Sequence, residues 1–446
     1  MHAHSAPGVA IEASVAARVS RAFAWAVFGL TLALLLSDYM SRQVLNVVFP
    51  LLKSDWQLSD TQLGSLSGIV ALMVGLLTFP LSLLADRWGR VRSLTVMALL
   101  WSLATFACGL ADRYAEMFAA RFLVGVGEAA YGSVGIAVIL SIFPARLRAT
   151  LTGAFTSGGM FGSVLGMGIG GVVAARLGWR WSFWVMAAFG IALVIVYRLV
   201  VTEARIARLR IDEPDAASGP GRPAIAFRAL LPGLFKSPSI VCAYVGSGLQ
   251  LMITASLLAW LPSYLNRYYA LAPDRAGVTA AVFVLVSGIG MVVCGMLTDR
   301  LGRNRPTRKL TVAITYCAIS FVMLTAAYLA PPGPLQLVLL GCGMFVAAGT
   351  TGPAGAMVAN LAHPSIHATA FATLTLANNL LGLAPGPIVT GAIADRIGLL
   401  GALQVVAFAS LGAAAAFAIA IRHYQTDLAR VLDPVPASRE PHRSPA

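Results

Sequence analysis

Charged residues are scarce in this chain of 446 residues, because Asp, Glu, Lys and Arg together make up only 11% of it. A soluble domain carries about a quarter charged residues, so the composition excludes an ordinary soluble globular protein. Apolar residues make up 58% of the chain, and the mean hydropathy is +0.80. The scarcity of charge therefore predicts an integral membrane protein.

Residue patterns that several other functions require are also missing. No G-x-x-x-x-G-K-[ST] phosphate-binding loop is present, which argues against a nucleotide-driven pump. The 6 histidines lie in tails or at span ends, so neither a metal-dependent membrane enzyme nor a histidine proton relay is expected. The 5 cysteines are odd in number and lie in apolar segments, which favours packed thiols over disulfides. We therefore expect a protein that is not an enzyme and needs no metal or other cofactor.

Long apolar segments recur along the whole sequence. Each is roughly 20–28 residues long, which lets a helix cross a hydrocarbon core of about 30 Å. Short segments of alternating hydrophobicity are absent, which argues against a lipid-facing barrel. We predict an all-α integral membrane fold whose twelve spans lie near residues 22–50, 61–84, 93–111, 115–143, 149–174, 182–201, 237–265, 275–298, 309–330, 335–361, 369–393 and 401–421.

Basic residues are distributed unevenly between the two sets of connecting loops. With both termini placed in the cytoplasm, most of the 32 Lys and Arg residues fall on the cytoplasmic side, as the positive-inside rule requires. The net charge of +14 then reflects topology, and no nucleic-acid partner is expected. Residues 1–21 lack an apolar core followed by a small-residue cleavage site, so we expect the first span to insert and stay.

A long polar interruption divides the spans into two sets of six. Residues 202–236 are rich in proline, glycine and acids, which is typical of a flexible linker. We predict two pseudo-symmetric six-helix bundles with the following boundaries: a cytoplasmic N-terminal tail 1–21, an N-terminal bundle 22–201, a cytoplasmic linker 202–236, a C-terminal bundle 237–421 and a cytoplasmic C-terminal tail 422–446.

The two halves repeat short motifs at nearly constant offsets. The sequence A-D-R-W-G-R at 85–90 returns as T-D-R-L-G-R at 298–303, which is an offset of 213 residues. At an offset of 220, G-x3-G-M-x2-G-G at 162–171 corresponds to G-x3-G-P-x2-T-G at 382–391. Parallel six-span halves of this kind create a site at their interface near the midplane, which opens alternately to either side.

Four charged side chains lie well inside predicted spans, away from the span edges where other charges occur: Asp38, Arg42, Arg121 and Glu128. Each costs roughly 2.5–3.5 kcal/mol at the centre of a spanning helix. Asp38 and Arg42 are four residues apart, and Arg121 and Glu128 are seven apart, so each pair shares one helix face. Two charges of each sign indicate that this quartet handles protons or a charged solute.

A carboxylate beside a guanidinium stays ionised, and it can take up a proton when the guanidinium is drawn away. We predict that Glu128 carries the proton, that Arg121 is its counter-charge and that Arg42 binds an anionic substrate group. Arg121 is also a candidate substrate ligand, and Asp38 a second proton-coupling acid. The alternative is that these residues form structural ion pairs. At offset 220, Arg121 corresponds to Gly341, so the second half is expected to supply mostly shape.

Weaker candidates for the substrate cavity lie in both halves. Gln250, Asn378 and Asn379 are polar groups at membrane depth that need partners. Tyr131 and Trp260 line the cavity in one interpretation and simply pack in the other. Four glycines at four-residue spacing in span 5 form a surface for close helix contact: Gly158, Gly162, Gly166 and Gly170.

These motifs resemble the major facilitator superfamily over residues 22 to 421. The D-R-x-G-R loop in both halves and R-x3-G-x-G-E at 121–128 are the main marks. The resemblance implies alternating access and secondary transport, with the proton gradient as energy source and a monomer as the transporting unit. It also implies that the repeated loops close the inner gate through the following residues: Asp86, Arg87, Arg90, Asp299, Arg300 and Arg303.

Within that superfamily, the chain looks most like bacterial spinster-type transporters. The supporting sequences are Y-M-S-R at 39–42, V-G-E-A-A-Y at 126–131, G-W-R-W at 178–181 and W-L-P-S-Y-L at 260–265. Organic anion:cation symporters share several of these marks. The first resemblance implies an amphipathic or lysophospholipid-like anion in a bacterial inner membrane, and the second implies sugar acids or aromatic acids.

One position departs from both subfamilies. An acid usually precedes the first-span arginine, whereas Ser41 stands there in this chain. Asp38, one turn earlier, is the candidate replacement. A membrane sensor without transport remains a third possibility, although the short loops and tails offer no output domain.

Overall fold

The computed structural model describes residues 7–209, 237–303, 307–361 and 367–432. Residues 1–6, most of the predicted linker (210–236) and the end of the predicted tail (433–446) lie outside this part. The described chain is almost entirely helical, as the sequence predicts. Its α-helices are α1 (Pro7–Trp56), α2 (Asp60–Trp88), α3 (Arg90–Leu110), α4 (Tyr114–Glu128), α5 (Tyr131–Ile142), α6 (Arg148–Leu177), α7 (Trp179–Val200), α8 (Glu203–Leu209), α9 (Pro238–Tyr269), α10 (Pro273–Gly302), α11 (Thr307–Leu329), α12 (Pro334–Ala347), α13 (Thr351–Leu361), α14 (His367–Asn378), α15 (Pro385–Ala407) and α16 (Ala409–Leu432).

Eleven helical segments of the described chain are long and apolar enough to cross a membrane. The last of them, Thr369–Ala429, has 61 residues, which is enough for two spans. The chain turns within it at Gly398, whose φ of 81° and ψ of 161° are not helical. With this segment counted as two, the fold agrees with the predicted twelve-span membrane protein.

The turn at Gly398 has a counterpart in the first half. Gly178 separates α6 from α7 with φ 93° and ψ 160°, nearly the same conformation. Residues that carry a side chain rarely adopt such positive φ values, so glycine is favoured at both turns. The two positions follow the offset of 220 residues seen in the sequence repeat, which shows that the repeat extends to backbone conformation.

Helix α6 packs closely on α1 through the glycine stripe of the sequence. A side chain at Gly162 would meet the carbonyl of Leu36 at 2.6 Å, and one at Gly166 would meet the backbone of Met40 at 2.7 Å. The glycines therefore serve close helix contact, which fixes the position of α1 and of the charged residues that it carries.

Two corresponding spans, one in each half, are interrupted near their middle. In the first half, α4 ends at Glu128 and α5 begins at Tyr131. The hydroxyl of Thr78 donates a hydrogen bond of 2.6 Å to the carbonyl of Ala129, so the interruption does not leave this acceptor unpaired. In the second half, a 3-10 turn at Ala348–Thr350 separates α12 from α13. Both interruptions occupy equivalent positions of the repeat.

The two halves meet along one side of the molecule and separate toward the other. We define the inner face by Gly89 and Gly302, which the basic-residue distribution places in the cytoplasm, and the outer face as the opposite one. Toward the outer face, α2 contacts α15 so closely that Gly64 has no room for a side chain against Pro387. Gly171 of α6 and Gly277 of α10 also pack against each other there. Toward the inner face, a side chain at Gly153 or Gly295, five turns away on the same sides of these helices, would meet nothing within 4 Å. The structure is therefore closed outside and open inside.

Candidate functional site

The charged quartet lies on α1 and α4, and other helices hold these two in place. Gly125 lets α2 approach α4, because a side chain there would lie 2.9 Å from the carbonyl of Val70. Gly127 does the same for α3 at Trp101, with 2.7 Å to its amide nitrogen. These close helix contacts fix the position of Glu128 at the C-terminal end of α4, where its side chain reaches Arg42 of α1.

The structure brings Asp38, Arg42 and Glu128 into one contact group. Arg42 Nε lies 2.6 Å from Glu128 Oε2 and 3.4 Å from Asp38 Oδ1. Asp38 is 2% exposed and Glu128 is 3% exposed, so both carboxyl groups are shielded from solvent. The ring of Tyr39 lies 5.2 Å from Arg42 Cζ, within the range of a cation–π contact. Two acids therefore compete for one edge of a single guanidinium.

Arg121 occupies a different position from the one its helix spacing suggests. It is 1% exposed and donates hydrogen bonds to two carbonyls, from Nε to Leu66 at 3.3 Å and from Nη1 to Ser41 at 3.1 Å. The side chain in direct contact with Glu128 is Arg42 on another helix, and the role of Arg121 as counter-charge to Glu128 stays a prediction. The residue that replaces the usual acid, Ser41, thus contributes its carbonyl to holding Arg121.

Part of the Arg42 side chain is accessible to a solute. Its side chain is 20% exposed, whereas those of Asp38 and Glu128 are 3% and 0% exposed. In the described residues, Nε is the nitrogen of Arg42 nearest to both acids, and neither Nη atom donates a hydrogen bond. A guanidinium edge of this kind matches the two oxygens of a carboxylate or phosphate.

The aromatic candidates are packed in this conformation. Tyr131 is fully buried, donates a hydrogen bond of 2.8 Å to the carbonyl of Thr31 and lies edge-on to Trp101. Trp260 is also fully buried and donates through Nε1 to the carbonyl of Pro387 at 3.0 Å. Neither side chain faces an open cavity here, and contact with a substrate remains a prediction for both.

The amide candidates lie in the second half and are incompletely paired. Gln250 is 1% exposed, and neither of its amide atoms has a hydrogen-bond partner among the described residues. Asn379 is 4% exposed and donates to the carbonyl of Thr375 at 2.9 Å, while its Oδ1 lacks a partner there. Asn378 Oδ1 is likewise unpartnered within the described chain. Asn379 begins a π-helical segment, Asn379–Leu383, against which Gly75 of α2 packs.

The residues of the repeated loops lie apart at the inner face. Asp86 pairs with Arg90 at 3.1 Å, and Asp299 pairs with Lys309 at 2.6 Å. The other predicted gating residues are exposed: Arg87, Arg300 and Arg303. Within the part of the chain that the structure describes, each of these ion pairs stays in its own half. This arrangement agrees with an inner face that is open, and the gating role remains a prediction.

Several interactions at the outer face escaped the sequence analysis. Asp60 binds Arg267, and Asp395 accepts hydrogen bonds from the start of α2. Asp60 sits at a helix start, where an acid is ordinarily read as matching the helix dipole. Arg267 and Asp395 lie near predicted span ends, where charges are common. Arg267 and Asp395 find their partners only through contacts between the two halves, which the sequence does not show.

Most of the chain is similar in sequence to a known protein family. It matches the Major Facilitator Superfamily over residues 30–387. It is 28% identical to the probable L-galactonate transporter of Escherichia coli, over 69% of each chain. It is 25% identical to protein spinster homolog 1 of Xenopus laevis, over 81% of this chain and 71% of that protein.

The fold is also found among solved structures. A bacterial homolog of the human lysosomal transporter spinster, in an inward-facing and unoccupied conformation, superposes with a TM-score of 0.79. The alignment covers 91% of this chain and 98% of that one at 20% sequence identity. These comparisons agree with the predicted likeness to spinster-type and organic-acid transporters. The chain is an integral membrane protein and belongs to the Major Facilitator Superfamily, whose members are transporters and not enzymes.

Proposed function

We propose that this protein is a proton-coupled transporter of a solute with an anionic head group, working by alternating access. The observation that carries the proposal is the arrangement at Arg42. Its Nε lies within ion-pair distance of Glu128 and Asp38, while its terminal nitrogens donate no hydrogen bond within the described residues and its side chain is partly exposed. One guanidinium thus joins the proton-binding acids to the place where an anion can bind.

The coupling follows from competition for the charge of Arg42. A carboxylate or phosphate that binds the Nη atoms adds a third negative group around one guanidinium. The attraction of Arg42 for the nearby carboxylates is then shared with the anion, which favours proton uptake by a buried acid. Glu128 is the favoured carrier because its side chain is fully buried and closest to Arg42. Anion and proton would therefore bind together.

Arg121 supports this site from behind. Its bonds to the carbonyls of Ser41 and Leu66 join α1 to α2 beside the acids. Its positive charge balances the second carboxylate, since the quartet contains two acids and two arginines. In this proposal Arg121 positions the site and sets its net charge, while Arg42 contacts the solute.

We favour an amphipathic anion of the lysophospholipid kind, because the spinster-type likeness extends over most of the chain. Small sugar acids or aromatic acids are the second candidate, supported by the likeness to a probable L-galactonate transporter. Both present an anionic oxygen pair to Arg42. We place the protein in a bacterial inner membrane with both termini in the cytoplasm, from its basic-residue distribution.

The test is a thermal-shift screen of the purified protein in nanodiscs. Lysophospholipids and small organic acids would be compared from about pH 5 to about pH 8. We expect one of the two groups to raise the melting temperature of the wild type, to lose its effect in Arg42→Ala and to keep part of it in Arg42→Lys. Lysine retains the charge but not the two-pronged geometry. Equal stabilisation of wild type and Arg42→Ala would show that Arg42 does not bind the solute.

A further inference from the structure

At the outer face, each half contributes one carboxylate that binds residues of the other half. Asp60 belongs to α2 in the first half, and both of its oxygens bind Arg267 of α9 in the second. Arg267 Nη1 lies 2.8 Å from Oδ2, and Nη2 lies 2.6 Å from Oδ1. Asp60 is 2% exposed, so this two-pronged pair is shielded from solvent. Such geometry is among the stronger ionic contacts in proteins.

The second carboxylate runs in the opposite direction. Asp395 of α15, in the second half, caps the first turn of α2, in the first half. Its Oδ1 accepts from the amide of Asp60 at 2.7 Å, and its Oδ2 accepts from the amide and the hydroxyl of Thr61 at 2.9 and 2.6 Å. Unpaired amides at a helix start favour a negative charge. Asp60 of the first half thus binds the second half, and Asp395 of the second half binds the first half at Asp60 and Thr61.

Two other carboxylates of the described chain cap a helix start from a distance, but within one half. Glu203 accepts from the amide of Val91 at 2.8 Å in the first half. Asp427 accepts from the amide of Ser239 at 3.0 Å in the second. Both lie at the inner face. These two caps can persist while the halves rock, whereas the cap made by Asp395 must break when the outer face opens.

We propose that Asp60, Arg267, Asp395 and Thr61 form an outer latch that sets the balance between the inward-open and outward-open states. The latch is the contact set that opening to the outside must break. The proposal rests on alternating access, but it requires neither the anion nor the proton assigned to Arg42 and Glu128.

The chain offers a matched control for the latch. Lys53 Nζ also binds Asp60 Oδ1, at 2.6 Å, but Lys53 and Asp60 both belong to the first half. Arg267→Ala and Lys53→Ala each remove one cation from the same carboxylate. Only the first removes a bond between the halves. A latch therefore predicts that the two variants differ in outward opening, even if they lower thermal stability alike.

Opening can be measured at Ser263, which is fully buried and whose hydroxyl has no hydrogen-bond partner among the described residues. It lies between Trp260 and Arg267 on one stripe of α9, at the closed outer side. A Ser263→Cys reporter in the full chain would be labelled with a membrane-impermeant maleimide added outside, without solute or proton gradient. The chain without the reporter gives the background from the native cysteines.

We expect Arg267→Ala and Asp395→Ala to raise the labelling rate at least about fivefold. Lys53→Ala and Asp427→Ala should change it less than about twofold. If a latch variant does not fold, Thr61→Val removes only the hydroxyl bond to Asp395 and should give a smaller rise. An unchanged rate in Arg267→Ala, or an equal rise in Lys53→Ala, would overturn the latch. Because no solute is present, either result leaves the proposed anion and proton sites to their own tests.

Discussion

The two interrupted spans occupy equivalent positions of the repeat and carry different chemistry. In the first half the interruption follows Glu128, which pairs with Arg42. In the second half the equivalent residue is Ala348, which begins the 3-10 turn and carries no charge. The backbone feature is common to both halves, whereas the charge is confined to one. Both halves therefore contain a break in the corresponding membrane helix, but only the first half has ionic side chains beside it.

The largest effect is expected from removing the charge at the first interruption. Glu128→Gln keeps the shape and deletes the proposed proton carrier, so proton-driven uptake into proteoliposomes should fall about 100-fold while solute exchange persists. The solute would be the one found by the thermal-shift screen. Glu116→Gln is the control, since Glu116 lies on the same helix with a 43% exposed side chain. Full proton-driven uptake by Glu128→Gln would remove Glu128 from coupling.

A smaller effect is expected from adding a charge at the second interruption. Ala348 is 8% exposed, so Ala348→Glu places a carboxylate at a buried position where the native alanine needs no charged partner. We expect it to be less stable than Ala348→Gln by about 3 kcal/mol at neutral pH. The glutamine variant controls for side-chain volume. Equal melting temperatures of the two purified variants would mean that the second half can accommodate a charge without a partner.

The smallest effect concerns the unpaired amide of Gln250. Replacing it by leucine removes a buried polar group without partners, so Gln250→Leu should raise stability by about 1 kcal/mol. Gln336 is a matched control, because it is also buried but donates two hydrogen bonds of 2.9 Å, to Ala327 and Ala330.

Gln336→Leu should therefore lower stability by about 1–3 kcal/mol. Chemical denaturation of the two variants in the same detergent measures the difference. Loss of stability in Gln250→Leu would show that its amide is paired in the folded protein. A gain in stability together with weaker solute binding would support the predicted contact with substrate.

The sequence was sufficient for what depends on composition and local spacing. The spans and the glycine stripe of α6 follow from hydrophobic length or helical period, and the structure contains both. The domain boundaries and the roles of the quartet stay predictions. The tight turn at Gly398 follows the same repeat as Gly178. These features require only that a helix obey its own geometry.

What could not be predicted are contacts between helices distant in sequence. Helical spacing relates Arg121 to Glu128, but it says nothing about the distance from Glu128 to Arg42 on another helix. That distance depends on how Gly125 and Gly127 let neighbouring helices approach. The pairing of Asp60 with Arg267 likewise depends on the conformational state, because these residues meet only where the halves close.

The balance of charge in the quartet has an electrical consequence. In the proposed cycle both acids of the empty carrier are ionised, so Asp38 and Glu128 offset Arg42 and Arg121 and the empty site carries no net charge. A singly charged anion that enters with one proton leaves that sum at zero. The loaded and empty carriers would then cross between states without moving charge through the membrane field, where each elementary charge is worth about 2.3 kcal/mol per 100 mV. Transport of such a solute would respond to a pH difference and be indifferent to voltage, whereas a doubly charged solute would make the same protein sensitive to voltage.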